Sequence, residues 1–85
     1  MLIRSQDKTK LVDIAGKTIA IDRANAIGIT YANSNVLLGK YTSKEKAIKV
    51  LDMIQETYKQ QKTEIIYKEG IYDIGTFQMP EDNEV

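Results

Sequence analysis

The sequence predicts an α+β domain, an antiparallel meander sheet of about four to six strands with one long amphipathic helix packed on one face. Three observations lead to this prediction. Apolar residues alternate with a period of two through the first half of the chain, turn-forming residues separate those runs, and a helical apolar stripe follows them. Because connections this short suit only antiparallel neighbours, the first half is expected to be a meander.

Strand centres are predicted near residues 12, 20, 28 and 37. In these runs the larger apolar side chains fall on one face, as in a half-buried strand. The residues concerned are Ile19, Ile21, Ile27, Ile29, Tyr31, Val36 and Leu38. The intervening residues 15–17, 23–25 and 33–35 include glycine or asparagine, which tolerate the positive φ of tight turns.

A polar block, residues 4–10, precedes these runs, and four of its seven residues are charged. We interpret residues 6–9 as a turn, with Arg4 and Lys10 flanking it on paired strands. The alternative is a basic arm that reaches a phosphate group, since Arg and Lys are the side chains that contact nucleic-acid backbones.

The apolar period becomes helical over residues 42–61. One stripe is formed by Ala47, Val50, Leu51, Ile54 and Tyr58. Thr42 and Glu45 have the spacing of a capping box, in which each side chain satisfies a backbone N–H of the first turn. The predicted helix therefore begins just after Thr42.

The segment after the helix has several readings. Three structures are predicted for residues 63–76 as alternatives: a hairpin around residues 68–70, a frayed helix end followed by a loop, or an extension of the helix through Ile65. Phe77 and Met79 would point the same way in a short closing strand, and Pro80 disfavours a helical Met79. Residues 1–80 are thus predicted to be one domain, and residues 81–85 a solvated acidic tail.

A single helix leaves the second face of the sheet partly open. Val12, Leu37 and Tyr41 are predicted to line that side, where a dimer partner or a ligand would cover it. The five tyrosines of the chain suit such a margin, because a phenol tolerates a half-wet position.

The composition argues against catalysis. The 85 residues include no cysteine and no histidine, so thiol nucleophiles, disulfides and zinc–thiolate sites are excluded. No phosphate-binding glycine motif and no converging pair of carboxylates is recognisable. We therefore predict a protein that is not an enzyme, with no cofactor and no metal. No apolar run approaches the roughly 20 residues of a membrane span, and we predict a cytoplasmic location.

Nucleic-acid binding is possible but not favoured. Residues 1–41 contain six basic and three acidic groups, a balance of +3, and residues 42–85 contain six basic and nine acidic groups, a balance of −3. Arg4, Lys8, Lys10, Lys17 and Arg23 all lie in the first half. However, acidic residues interleave with them, and a pI near 6.2 is far below the value above ~9 typical of such domains.

The leading hypothesis is a small interaction module, self-associating, that binds a partner through its second sheet face or an edge strand. Its expected partner is a protein or a second copy of the chain. The alternatives are a nucleic-acid-binding accessory factor that uses the basic first half, and a protein that inhibits or regulates a host or phage enzyme.

Three blocks of the chain, IRSQDKTKLV, LGKYTSKEKAIKVLDMIQETY and FQMPED, resemble a set of small uncharacterised proteins of Gram-positive bacteria, their phages and mobile elements. The resemblance covers about half the chain and implies a bacterial cytoplasm and a mobile-element accessory role. It makes Arg4, Gln6, Asp7 and Lys8 candidates for a surface interaction site, to which we add Lys10 from the same polar block. A hairpin-setting role explains this block equally well.

Overall fold

The computed structural model describes residues 1–31, 34–67 and 76–85. Six strands, one α-helix and a terminal 3₁₀ turn follow one another in this part of the chain. They are β1 (Leu2–Arg4), β2 (Leu11–Asp13), β3 (Thr18–Ile21), β4 (Ala26–Tyr31), β5 (Ser34–Lys40), α1 (Lys44–Tyr67), β6 (Thr76–Gln78) and the 3₁₀ turn Asp82–Glu84. The predicted α+β class, with one helix on a sheet face, is confirmed.

The described strands form two three-stranded sheets. The β4 sheet has the order β3–β4–β5, all antiparallel, and contains three of the four strands predicted to form one meander. The fourth, β2, belongs to the other sheet. The β1 sheet has the order β2–β1–β6. In it β1 pairs with β2 in an antiparallel hairpin, as predicted, and with β6 in parallel, which the sequence analysis did not anticipate. A parallel neighbour is possible because α1 separates β6 from the first strands, and such crossovers need a dozen or more residues.

The register of the β4 sheet places its isoleucines in one layer. Ile19 lies opposite Ile29, and Ile29 lies opposite Val36. The β4–β5 register shifts between Ile27 and Gly28, so Leu38 is an extra residue on β5 and is buried in the core. The bulge therefore turns an additional apolar side chain inward.

The helix covers the β4 sheet on its isoleucine face. Ala47, Val50 and Ile54 of the predicted stripe are buried in the core, where the cluster also contains Ile27 and Ile29 of β4. The backbone of α1 continues to Tyr67, so the helix extension is the reading of residues 63–67 that is confirmed. The hairpin predicted around residues 68–70 lies outside the described residues.

The start of α1 differs from the prediction. The Ser43 side chain accepts a hydrogen bond from the Lys46 backbone N–H (3.1 Å), and Ser43 is therefore the residue that caps the helix. The predicted Thr42–Glu45 capping box is wrong. Thr42 is instead engaged by Asp82, since its backbone N–H donates to that carboxylate at 2.8 Å.

Strand β6 closes the core as predicted. Phe77 and Met79 point the same way and are both buried beside Ile3 of β1. Beyond β6, residues 81–85 were predicted to be a solvated tail. Glu81, Asn83 and Glu84 are exposed, whereas Asp82 and Val85 are half-buried, and Val85 packs against the core.

Candidate functional site

The β1–β2 turn is organised around one carboxylate. The Ser5 hydroxyl donates to Asp7 Oδ1 at 2.6 Å, and the Thr9 hydroxyl and backbone N–H donate to the same oxygen at 2.7 and 3.0 Å. Ser5 also accepts a hydrogen bond from the Lys10 backbone N–H at 3.0 Å. These bonds, Ser5 first, lower the pKa of Asp7 well below its ordinary value.

The cations of the predicted surface site make contacts within the same turn. The Lys10 ammonium lies 3.8 Å from Asp7 Oδ2, and Arg4 donates to the Lys8 carbonyl at 3.4 Å. Lys8 adopts φ of 67°, the left-handed conformation that a tight turn requires. Arg4, Asp7, Lys8 and Lys10 are therefore brought together by the turn that the sequence predicted.

Gln6 acts over a longer range. Its amide N–H donates to the carbonyls of Lys40 and Pro80, each at 3.2 Å, and its oxygen accepts from the Lys40 N–H at 2.9 Å. The Gln6 backbone N–H also donates to the Leu38 carbonyl at 2.7 Å. Gln6 thus joins the two sheets and the C-terminal segment, which is a structural role.

A second polar cluster ties the C-terminal residues to the start of α1. The Tyr41 phenol donates to the Pro80 carbonyl at 2.8 Å, and burial, with smaller effects of Glu81 and other nearby acids, raises the pKa of Tyr41 to about 12. The Lys46 ammonium donates to the Asp82 carbonyl at 2.9 Å and lies 3.3 Å from its carboxylate. The hydrogen bond from the Thr42 backbone is the main cause of the lowered pKa of Asp82.

The open side of the β4 sheet differs from the prediction. Leu37 lies there and is 53% exposed. Tyr41 is instead buried, and Val12, on β2 of the β1 sheet, packs against the core. The outer face carries mainly small or polar side chains, and its shallow depression of about 280 Å³ is lined in part by Ala20, Gly28 and Leu37. The residues that line this depression are mostly apolar, and it is smaller than the groove on the helix side of the sheet.

A larger apolar groove lies on the helix side, between α1 and the segment that leads into β3. We call it the α1–β3 groove. It has a volume of about 520 Å³ and is lined by Ile14, Ala15, Gly16, Lys17, Ile19, Leu51, Asp52, Ile54, Gln55 and Tyr58. Tyr58 is 44% exposed and Leu51 is half-buried, although both belong to the predicted helical stripe. The groove therefore holds apolar surface that the described part of the chain leaves uncovered.

The groove borders an open strand edge. In the described residues β3 has β4 as its one neighbour. The Asp22 N–H donates to the Ala26 carbonyl at 2.9 Å, which makes these two residues a hydrogen-bonded pair of the hairpin. Since hydrogen-bonded and non-hydrogen-bonded pairs alternate, the backbone groups of Ala20 point toward β4 and those of Ile19 and Ile21 point away from it.

The sequence pattern does not predict this groove, although it singles out several of the residues that line it. Leu51, Ile54 and Tyr58 were assigned to one core stripe, and Ile19 and Ile21 to one core face. The signal that distinguishes groove residues from core residues is the angular width of the apolar face of α1. The apolar residues of α1 also include Ile48, which is 43% exposed, and together they cover a broader arc than one strand pair fills.

Comparisons with protein-family models, with curated proteins and with solved structures found no match for this chain. Within the described residues, no helix combines the length and apolarity needed to cross a bilayer.

Proposed function

We propose that the protein is a small interaction module that binds a segment of another polypeptide in the α1–β3 groove and along the edge of β3. The observation that carries the proposal is the combination of the two features. A strand edge that no other described strand covers can supply main-chain hydrogen bonds, and an adjacent apolar groove can supply pockets for side chains, which is the usual arrangement for strand addition.

Edge strands of folded proteins are commonly protected by proline, by an inward-pointing charge, by a bulge or by being very short. The four residues of β3, Thr18–Ile21, contain neither proline nor charge, and the β3–β4 register runs without a shift. Ile19 and Ile21 are both half-buried on β3, and Ile19 lines the groove. The shortness of β3 limits the number of main-chain hydrogen bonds it can offer, and the adjacent apolar groove would supply the rest of the binding surface.

The resemblance to proteins of Gram-positive bacteria, their phages and mobile elements supports an accessory role in a bacterial cytoplasm. A regulator that occupies the surface of a host or phage enzyme would use the same groove. That activity is one form of the proposed function, because the binding surface and its chemistry are the same.

Site-specific photocrosslinking tests the proposal. Tyr58→p-benzoylphenylalanine places the probe in the groove, and Met53→p-benzoylphenylalanine is a matched control, since both native side chains are 44% exposed and Met53 does not line the groove. We expect irradiation in bacterial cells that encode the chain to give a discrete protein adduct from position 58 and much less from position 53.

Two outcomes would contradict the proposal. Equal adduct yields from the two positions would show that the groove has no special affinity for polypeptides. An adduct that disappears on nuclease treatment would instead favour the nucleic-acid-binding alternative. Retention of the wild-type circular dichroism spectrum by both variants is the control for folding.

A further inference from the structure

We propose that the partner of the β3 edge is a second copy of this chain, joined by antiparallel β3–β3 pairing about a two-fold axis that passes beside Ala20. This inference rests on the proposed function, since it names the occupant of the same surface. The paired edges would join the two β4 sheets into one six-stranded sheet.

The backbone fixes the register. The outward N–H and C=O groups of β3 belong to Ile19 and Ile21, whereas the Lys17 N–H already donates to the Ile14 carbonyl at 3.1 Å. Pairing Ile19 of one copy with Ile21 of the other satisfies all four outward groups of each strand. A register shifted to pair Ile21 with Lys17 would lack that donor, and the opposite shift would pair Ile19 with Arg23, which lies in the turn after β3. The axis is therefore placed between the two Ala20 residues.

Side-chain size agrees with this register. In it the two Ala20 residues form a non-hydrogen-bonded pair, whose Cα atoms approach to about 4.5 Å. Ala20 is exposed on the outer face, where a methyl group fits such a close approach without displacing a neighbour. The two isoleucines of each strand lie on the opposite face, and each meets an isoleucine of the other copy.

The helices would then face each other across the axis. A two-fold axis normal to the sheet keeps both helices on the same side, and α1 packs over β4, the strand next to β3. Three strand spacings separate the two β4 strands, a distance of about 14 Å. Since a helix with its side chains is about 10–12 Å wide, the exposed flanks bearing Ile48, Leu51 and Tyr58 would close the space between them.

The net charge of the chain and the size of the interface set the expected affinity of the dimer. The net charge of the chain is zero, so two copies approach without long-range repulsion. A strand of four residues and one helix flank present fewer residues than the roughly 20–30 per side of a standard interface. We therefore expect a reversible dimer with a dissociation constant in the range of about 1–100 µM rather than an obligate one.

A charge exchange at position 20 tests the register. Ala20→Glu or Ala20→Lys places like charges opposite each other, and we expect either variant to raise the dimer dissociation constant by up to about fivefold. An equimolar mixture of the two variants restores opposite charges, and we expect it to form heterodimers with an affinity at or above that of the wild type. Sedimentation velocity and native mass spectrometry measure both effects.

Thr30→Glu is the control. Thr30 is exposed on the same face but belongs to β4, the central strand of its sheet, so its carboxylate would lie far from the axis. A wild-type chain that stays monomeric at about 1 mM, ten times the weakest affinity expected, would overturn the inference. Dimerisation of Ala20→Glu and Ala20→Lys with wild-type affinity, or a mixture that forms no heterodimer, would overturn the register.

Crosslinking and sedimentation together distinguish a failure of the groove-binding proposal from a failure of the dimer proposal. If position 58 crosslinks a protein of different mass while the purified chain is monomeric, the groove binds a partner but not a second copy. If the purified chain dimerises with the predicted sensitivity at position 20 while positions 58 and 53 crosslink equally, the β3 edge associates but the groove takes no part.

Discussion

Ser5 shows how one buried hydroxyl fixes a turn. It is 1% exposed, donates to Asp7 and accepts from the Lys10 backbone. We predict that Ser5→Ala lowers the free energy of unfolding by about 1–3 kcal/mol, because the Lys10 N–H loses its acceptor. Urea denaturation measures the loss. Ser34→Ala removes an exposed hydroxyl and should change stability by less than about 0.5 kcal/mol, so equal losses would contradict the role of Ser5.

Asp7 and Asp82 make the folded state less stable as the pH falls. Their hydrogen-bond donors lower both pKa values from the ordinary value of 3.8 in the folded state. The unfolded chain therefore takes up protons first on acidification, and the stabilisation, present above about pH 4, is lost as pH falls. We predict that Asp7→Asn with Asp82→Asn flattens the dependence of Tm on pH between about 4 and 2. An unchanged slope would show that neither carboxylate contributes.

Gln6 illustrates what a single sequence hides at this scale. Residues 6–9 were identifiable as a turn because turn chemistry is local. The partners of Gln6, the Lys40 and Pro80 backbones, lie 34 and 74 positions further along the chain, and no local pattern predicts those contacts. The same block was therefore open to interpretation as a surface site, a role that stays a prediction.

At the element scale, the first turn of α1 depends on Ser43. Ser43→Ala should cost about 1 kcal/mol of unfolding free energy, because the Lys46 N–H loses its capping acceptor. Glu45→Ala is the control, since Glu45 is exposed and takes no part in the cap. Chemical denaturation of the two variants measures the difference. A larger loss for Glu45→Ala would restore the capping box that the sequence suggested.

Elements with a short repeat were predictable, and their long-range pairing was not. Period-two runs located β3, β4 and β5, and the helical stripe located α1 because Ala47, Val50 and Ile54 repeat at its spacing. The parallel contact of β1 with β6 joins residues such as Ile3 and Phe77, which no local periodicity relates. The capping residue was misplaced by one position because Thr42 and Ser43 are both good N-caps.

At the scale of the whole molecule, charge opposes nucleic-acid binding. Arg4, Lys10 and Lys46 each contact a carbonyl or carboxylate of the chain, and the net charge is zero. We predict no retardation of short single- or double-stranded nucleic acid in a gel at low salt. Retardation by the wild type that Arg4→Ala with Lys10→Ala abolishes would instead show that the basic first half is a binding surface.

The position of the proposed interface follows from the packing of the whole molecule. The sequence indicated that one helix could not cover all the apolar surface, but placed the uncovered part on the outer face with Leu37. The helix lies over β4, and the described residues also leave the helix flank with Leu51 and Tyr58 uncovered, beside β3. No local pattern in the sequence specifies which strand the helix covers.

Backbone amide exchange tests the central claim most directly, because it observes the β3 edge itself. The Ile19 and Ile21 amides should exchange with solvent quickly in dilute solution and become protected as the protein concentration rises, since each would then donate to a second strand. The Ala20 amide, which points toward β4, should be protected throughout. Fast exchange of Ile19 and Ile21 at every concentration, with and without a crosslinked partner, would contradict the account.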